Sequence, residues 1–485
     1  MPYPVFLHRL VMPTTISSRE MPHQRIDGQY ILSKLQEQVD NNWLVDFDNV
    51  ILWQLTQEKI VEIKQFQHEY RITPRVLLLE ANYLSFVACF LAATIAEVPI
   101  FLGHPHWQQV ELQQSQNLLK PHIIWSNQQN IRPILNEFSK RDSAVNNLIG
   151  ISTGGSSGKI RFALHTPDSL TASVKGFADY FDIETIDCCC ILPLYHVSGL
   201  MQLWRSLITG GRLAITSYKD IKQGFIPNII PQSYFLSLVP TQLQFLIERN
   251  PDWLSQFRTI LLGGAPAWRS LLNRAKKSNL PIATTYGMTE TASGISYLKP
   301  RDFCQRNYSS GKVLPHAKVK IINHQGDVLE ENSVGTIQIW AKSLYYGYYP
   351  YFSKPQSLIT DDLGFIDTAG FLHIVGRNSQ KIVTGGENVY PQEVEAAILA
   401  TKLVKDVCVI GVDDAKWGQA VIALFVPLDK SDRVTAIRQD IQKYLSKYKQ
   451  PKHWLQVSSL QRDSKGKINY SLLTKKAKKL LEQQK

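Results

Sequence analysis

Residues 152–161 read STGGSSGKIR, a run of hydroxyls and glycines that ends in two cations. Two folds compete for this stretch. A Walker A loop needs Gly, four residues, then Gly-Lys-Ser/Thr, whereas here Gly154 and Gly158 enclose three residues and Lys159 is followed by Ile160. The P-loop NTPase reading therefore fails at two points. What remains is a loop of Ser152, Thr153, Gly154, Gly155, Ser156, Ser157, Gly158 and Lys159. Its glycines let backbone N–H groups converge on phosphate oxygens, its hydroxyls add donors, and Lys159 and Arg161 supply counter-charge. Gly/Ser-rich runs are also the composition of plain turns and linkers, so the rest of the chain must decide.

A chain of 485 residues exceeds what one hydrophobic core supports, and two or three folding units are expected. Hydrophobic residues at 44% and charged residues at 19% argue for an ordinary globular enzyme and against extended disorder. The longest apolar stretch, residues 83–103, approaches membrane-span length. Glu97 and Pro99 interrupt it, and a buried helix followed by a buried strand fits better. His8 and Arg9 follow a very short apolar run, which leaves no signal-peptide core and makes a cytoplasmic protein the expectation. The cysteines at 89, 188, 189, 190, 304 and 408 form no CxxC pair, and buried reduced thiols are expected. Net charge is +12, and residues 431–485 hold fourteen Lys and Arg against four Asp and Glu, a surplus of ten. No aromatic interleaving or nucleic-acid signature accompanies that run, so nucleic acid is not expected as a partner and a solvated helical face explains Lys475, Lys476, Lys478 and Lys479.

Short aliphatic runs at 76–79, 99–102, 123–125, 188–192, 212–216, 235–238 and 259–262 alternate with helical patterns. That alternation predicts an α/β fold of layered, mostly parallel sheets, with ligands at the carboxyl ends of the strands. After Pro315 the texture becomes strands with tight turns, including one at Gln325-Gly326, the alternating GTIQIW and the Tyr-rich LYYGYY. From 391 a helix starts with Pro at its first turn, two strands follow, and a helix is expected over 434–447. The reading is a large domain over 1–376 with a β subdomain at about 312–376, then a small mobile α+β domain over 377–485. Whether residues 1–45 pack on the core is not legible.

Five segments carry the chemistry: STGGSSGKIR; YGMTE at 286–290; TDDLG at 360–364; GRNSQKIVTGGENVYPQEVE at 376–395; and KGKIN at 465–469. In this order and spacing they resemble the superfamily of acyl- and aryl-CoA synthetases, luciferases and peptide-synthetase adenylation domains, over roughly residues 46–475. That resemblance implies activation of a carboxylic acid as an acyl adenylate, with ATP, Mg²⁺ and CoA. It implies that the 152–159 loop holds the β- and γ-phosphates, with Ile160-Arg161 departing from the usual Pro-Lys. Gly263, Gly264 and Ala265 would run beneath the adenine. Tyr286, Gly287, Met288 and Thr289 would form the adenine and α-phosphate segment, Tyr286 stacking on the base and Thr289 meeting the α-phosphate, while Glu290 would hold the metal. Asp362 would accept from the ribose hydroxyls, assisted by Arg377. Asp361 stands where Gly is commoner.

By the same resemblance, Lys467 would bridge the reacting carboxylate and the α-phosphate during adenylation. The small domain would then turn about a hinge near Ser379, where many members have Asp, carrying Gly385 and Gly386 against the active site for thiol attack. Finer matches at 192–213, 237–247, 261–266 and 384–395 look most like the 2-succinylbenzoate–CoA ligases, and the IRFALHT continuation is similar to cyanobacterial members. These imply 2-succinylbenzoate as the acid, for phylloquinone or menaquinone synthesis, with His196, Ser198 and Thr241 lining the acyl pocket. Arg205 is a candidate to neutralise the benzoate carboxylate, and a salt-bridged helix surface explains it equally well. A ligase for another aryl or fatty acid, and a stand-alone enzyme loading a carrier protein, remain open, as does assembly into a homo-oligomer.

Overall fold

The aliphatic runs of the first half form strands because they are short, bounded by turns and apolar on both faces. Val76–Leu79 is fully buried along its length, the mark of an interior parallel strand. The computed structural model describes residues 26–127, 147–154, 160–385, 387–414, 417–428, 434–460, 462 and 468–483. Within them an eight-stranded sheet runs in the order Leu44–Val45, Leu213–Ile215, Asp187–Cys190, Tyr234–Leu238, Thr259–Leu262, Ile282–Met288, Ser293–Tyr297, Lys312–Val313. The first six are parallel, and the last two are joined by antiparallel pairings. A five-stranded sheet runs Ile123–Ser126, Val76–Leu79, Ile100–Leu102, Ile149–Gly154, Ile160–His165, parallel except for its final pair.

The apolar stretch after residue 82 is the helix Tyr83–Ile95, started by Asn82, whose side chain accepts from the Ser85 amide at 3.0 Å. Thirteen residues at 1.5 Å each span only about 20 Å, and the helix is instead core between the two sheets. Among the described residues no helix is long and apolar enough to cross a membrane. The first described helix, Gly28–Asp40, packs on that core through Ile31 and Leu35, and the buried Gln38 amide donates to the Ser206 and Gly211 carbonyls.

Four antiparallel strands follow: Ala317–Ile322, Gly335–Ala341, Leu358–Ile366 and Leu372–Arg377. Ile337 and Ile339 point inward, as alternation in GTIQIW requires. In the last part of the chain, Val404–Asp414 and Gly418–Pro427 pair along their length. Val407 and Val409 face the helix Pro391–Ala400, while Cys408 and Ile410 face the helix Tyr470–Gln483. Lys475, Lys476, Lys478 and Lys479 are exposed on that last helix.

Two expectations need correction. The helix expected over 434–447 ends at Ile441; Ile437, Ile441 and Leu445 keep helical spacing and are buried, but the backbone turns extended at Ser446, with ψ 150°, before the 3-10 turn Lys447–Lys449. Five cysteines are buried, whereas Cys304 is exposed, because it closes the short surface helix Pro300–Cys304.

Candidate active site

The parallel strands end on one side of the central sheet, and most of the expected residues gather there. Strand Ile149–Gly154 pairs antiparallel with Ile160–His165, setting Ser152 opposite Phe162 and Thr153 opposite Arg161. Gly155, Ser156, Ser157, Gly158 and Lys159 lie outside the described residues. Ser152 is buried, and the buried Thr153 Oγ1 has no hydrogen-bond partner among the described residues. A buried hydroxyl without a partner is costly unless something else supplies one.

Tyr286, on Ile282–Met288, donates its hydroxyl to Asp362 Oδ2 at 2.8 Å, and Arg377 Nε donates to Asp362 Oδ1 at 2.9 Å. Register brings the last two together, since Asp362 and Arg377 are directly paired in neighbouring antiparallel strands. Asp362 is buried, and its amide donates to Thr360 Oγ1 at 3.1 Å. Burial, then the Asp362 charge, pushes the Tyr286 phenol well above its ordinary range, so it stays a donor. Burial works against the Arg377 charge, but the attraction and hydrogen bond of Asp362 outweigh it and raise the guanidinium pKa. The arrangement is a carboxylate bonded to one cation and one neutral donor, with lone pairs left over to accept from a vicinal diol.

Gly263 directly follows Thr259–Leu262, and a Cβ there would meet Thr285 Oγ1 at 2.4 Å; only glycine permits that approach beside Tyr286. Gly264 and Ala265 continue it at the surface. At Gly287 a Cβ would lie 2.1 Å from the Ser293 carbonyl, where the register with the next strand shifts. That irregularity ends the strand at Met288 and starts the single 3-10 turn Thr289–Thr291, fastened by Thr291 Oγ1, which accepts from the Met288 amide at 3.0 Å.

The turn is held from outside as well. His165 Nε2 lies 2.7 Å from the Thr289 carbonyl and Nδ1 lies 3.1 Å from Ser169 Oγ. A carbonyl can only accept, so Nε2 carries the proton. Burial, against the opposing Thr289 bond, drives the ring's pKa down to about 4, and it stays neutral at physiological pH. Glu290 receives the Tyr348 hydroxyl on Oε1, and its carbonyl accepts from the Tyr345 amide at 2.9 Å. Among the described residues no cluster of three His, Cys, Asp or Glu could hold a metal ion. A single carboxylate suits magnesium, which takes one or two carboxylates and fills its shell with water and phosphate oxygens.

His196 is buried at the start of the helix Val197–Thr209, its ring 4.4 Å from that of Tyr195. Ser198 is exposed in the first turn of that helix, and Thr241 is exposed in the first turn of Pro240–Arg249, which follows Tyr234–Leu238. All three follow the carboxyl ends of parallel strands. Arg205 departs from the surface reading given for it. It is 2% exposed, its guanidinium lies 4.3 Å over Phe177, and it donates to the Tyr297 hydroxyl at 3.0 Å. It therefore belongs to the packed core and not to a salt-bridged surface.

Gly385 turns with φ 60° in the C-terminal sheet and donates to the Trp417 carbonyl at 2.8 Å; Gly386 lies outside the described residues. Lys467 also lies outside them. Its described neighbours Arg462 and Ile468 pair antiparallel, and Arg462 donates to Asp406 at 2.9 and 2.6 Å. Sequence reasoning missed His165, Tyr345 and Tyr348. The Tyr-rich run was the one available signal.

A profile of the AMP-binding enzyme family matches residues 143–349, and one of the AMP-binding enzyme C-terminal domain matches 393–467. The 2-succinylbenzoate–CoA ligase of Oceanobacillus iheyensis is 33% identical over 288 residues, 57% of this chain and 58% of that relative's length. The 2-succinylbenzoate–CoA ligase of Bacillus pumilus is 31% identical over 356 residues, 72% of each chain. Among solved structures, O-succinylbenzoate coenzyme A synthetase from Bacillus subtilis in complex with ATP and magnesium ion is similar with a TM-score of 0.75 at 25% identity, covering 91% of this chain and 98% of that one.

Proposed function

This chain belongs to the AMP-binding enzyme family, and from that premise we propose that it is an ATP-dependent ligase joining 2-succinylbenzoate to CoA through an acyl adenylate. The observation that carries the reading is the Tyr286–Asp362–Arg377 cluster, its tyrosine and carboxylate buried and its guanidinium half-exposed, one strand-end away from the Thr289–Glu290 turn. It offers an aromatic face and a diol acceptor beside a single metal-binding carboxylate, at the place where an α/β sheet takes a nucleotide. The names of the relatives support the acid.

In the first half-reaction Tyr286 stacks on adenine, Asp362 accepts from the ribose hydroxyls and Arg377 holds it in place. The loop from Ser152 to Lys159 donates to the outer phosphates, and Thr289 donates at the α-phosphate. Magnesium held by Glu290 neutralises charge on the triphosphate. Lys467 meets both the acid's carboxylate and the α-phosphate oxygens, so charge that develops as the carboxylate oxygen attacks phosphorus and pyrophosphate departs is stabilised by a placed cation. His196, Ser198 and Thr241 line the acid. In the second half-reaction the C-terminal part turns near Ser379, Gly385 and Gly386 approach, and the CoA thiolate attacks the acyl carbonyl as AMP leaves. The same proposal places the protein in the cytoplasm, leaves self-association as an open option and assigns its product to menaquinone or phylloquinone synthesis.

The test is product analysis with ATP, Mg²⁺, CoA and a panel of acids. AMP, pyrophosphate and 2-succinylbenzoyl-CoA are expected from 2-succinylbenzoate. An adenylate that forms but never passes to CoA refutes the ligase, and turnover preferring another aryl or fatty acid refutes the substrate.

A further inference from the structure

The run 344–349, LYYGYY, ties Glu290 to the strand that leaves the 152–161 loop. Tyr346 N donates to the Leu164 carbonyl at 2.7 Å, Leu164 N to Gly347 at 3.0 Å, and Tyr349 N to Phe162 at 2.9 Å. The segment thus forms a short extra strand along Ile160–His165, with Ala163 and Tyr348 paired antiparallel. One residue earlier, the Tyr345 amide fastens the Glu290 carbonyl. From this brace the Tyr348 hydroxyl reaches Glu290 Oε1, and the Tyr345 ring packs edge-on against Tyr348 at 5.2 Å. Among the described residues Oε2 has no hydrogen bond.

Arg161 completes the contact. As the last cation of STGGSSGKIR it was expected to face phosphate, but its guanidinium lies 4.5 Å over the Tyr348 ring. A cation at that height is attracted by the ring's face and holds the phenol in place. Glu290 alone would be a half-exposed carboxylate free to sample several rotamers, each of which metal binding must freeze out. A phenol can donate to a carboxylate and the carboxylate can only accept, so the contact fixes one oxygen and leaves the other.

We infer that Tyr348, braced by Arg161, is a positioning residue for Glu290: it locks the carboxylate with Oε1 occupied and Oε2 presented to magnesium. The inference rests on the reading of Glu290 as the magnesium-holding residue.

Four variants of the full chain test it: Tyr348→Phe, Arg161→Ala, Glu290→Gln, and Tyr351→Phe as a control at a neighbouring tyrosine that is 80% exposed. Two quantities are read: the Mg²⁺ concentration giving half-maximal pyrophosphate release, and the calorimetric affinity for ATP with Mg²⁺ against that with EDTA, acid omitted. Losing one charge-assisted bond should raise the half-saturating Mg²⁺ of Tyr348→Phe about three- to tenfold, with kcat at saturating Mg²⁺ within about twofold. The Mg²⁺-dependent gain in ATP affinity should shrink by the same factor while affinity in EDTA stays put. Arg161→Ala should move in the same direction, and Tyr351→Phe not at all. If Glu290→Gln raises the Mg²⁺ requirement and Tyr348→Phe does not, the positioning role is wrong. If neither moves it, the assignment of Glu290 to the metal falls as well. Should Tyr348→Phe not fold, Arg161→Ala, which alters an exposed side chain, decides alone, and an unchanged Mg²⁺ requirement overturns the inference.

Discussion

Replacing Asp361 with Gly should unpin the connection between the large and small parts of the chain. Asp361 is exposed on Leu358–Ile366; its Oδ1 accepts from the Ser379 amide at 3.1 Å and its Oδ2 from the Ser379 hydroxyl. Ser379 sits in the 3-10 turn Asn378–Gln380, directly after Arg377. Two departures from the family pattern therefore meet: an Asp where Gly is commoner, and a Ser at the proposed hinge where many members have Asp. An exposed pair of bonds to a carboxylate is worth about 1 kcal/mol after competition with water. That corresponds to about a fivefold bias toward the orientation that keeps the contact. The assay is single-molecule energy transfer between dyes at Val328→Cys and Tyr444→Cys, positions 54% and 72% exposed, in a Cys304→Ser background. Asp361→Gly should enlarge the minor distance population about fivefold, Ser379→Ala should enlarge it less because its amide still donates to Oδ1, and the double variant should do no more than Asp361→Gly, because the carboxylate makes both bonds. Unchanged populations, or effects that add in the double variant, refute the latch.

Tyr286→Phe keeps the ring but removes the buried 2.8 Å bond to Asp362, and should raise the ATP KM about tenfold with kcat less affected, read from initial rates. Glu395 is half-buried and accepts from the Val409 amide at 2.8 Å; desolvation lifts its pKa to about 7, against the pull of that bond and of Arg462, and with Asp406 adding to the rise. Because the folded pKa exceeds the unfolded one, the native state binds the extra proton, and this group's contribution is full below about pH 4.5 and lost as pH climbs through 7. Hydrogen-exchange protection of Val404–Asp414 should therefore fall between pH 5 and 8, and fall less in Glu395→Gln; equal slopes would refute the assignment. Arg205→Met replaces a buried cation that has no carboxylate partner among the described residues, so melting temperature should hold or rise and the KM for the acid should stay within about twofold. A large rise in that KM would return Arg205 to the acyl pocket.

The parallel sheets were legible because strands buried on both faces leave an unbroken aliphatic run, as at 76–79 and 259–262. Asp362 and Arg377 were legible because each sits in its own recognisable segment. Their contact was not, since it depends on a register shift beside Leu363 that no local pattern encodes. The same holds for the partners that brace the Thr289–Glu290 turn. Tyr348 lies 58 residues from Glu290, and His165 lies 124 from Thr289. Both look like ordinary strand residues when read locally. Arg205 misled for the complementary reason: on a helix whose flanking Leu203, Trp204, Ser206 and Leu207 are all buried, one cation reads as surface or as ligand contact, whereas stacking on Phe177 accommodates it in the core. Departures from a motif thus gain meaning in pairs. Asp361 alone looks like drift and Ser379 alone looks like loss, and only the fold shows the two bonded to each other. Arg161 follows the same logic, since its place over the Tyr348 ring is a contact that the motif by itself does not show.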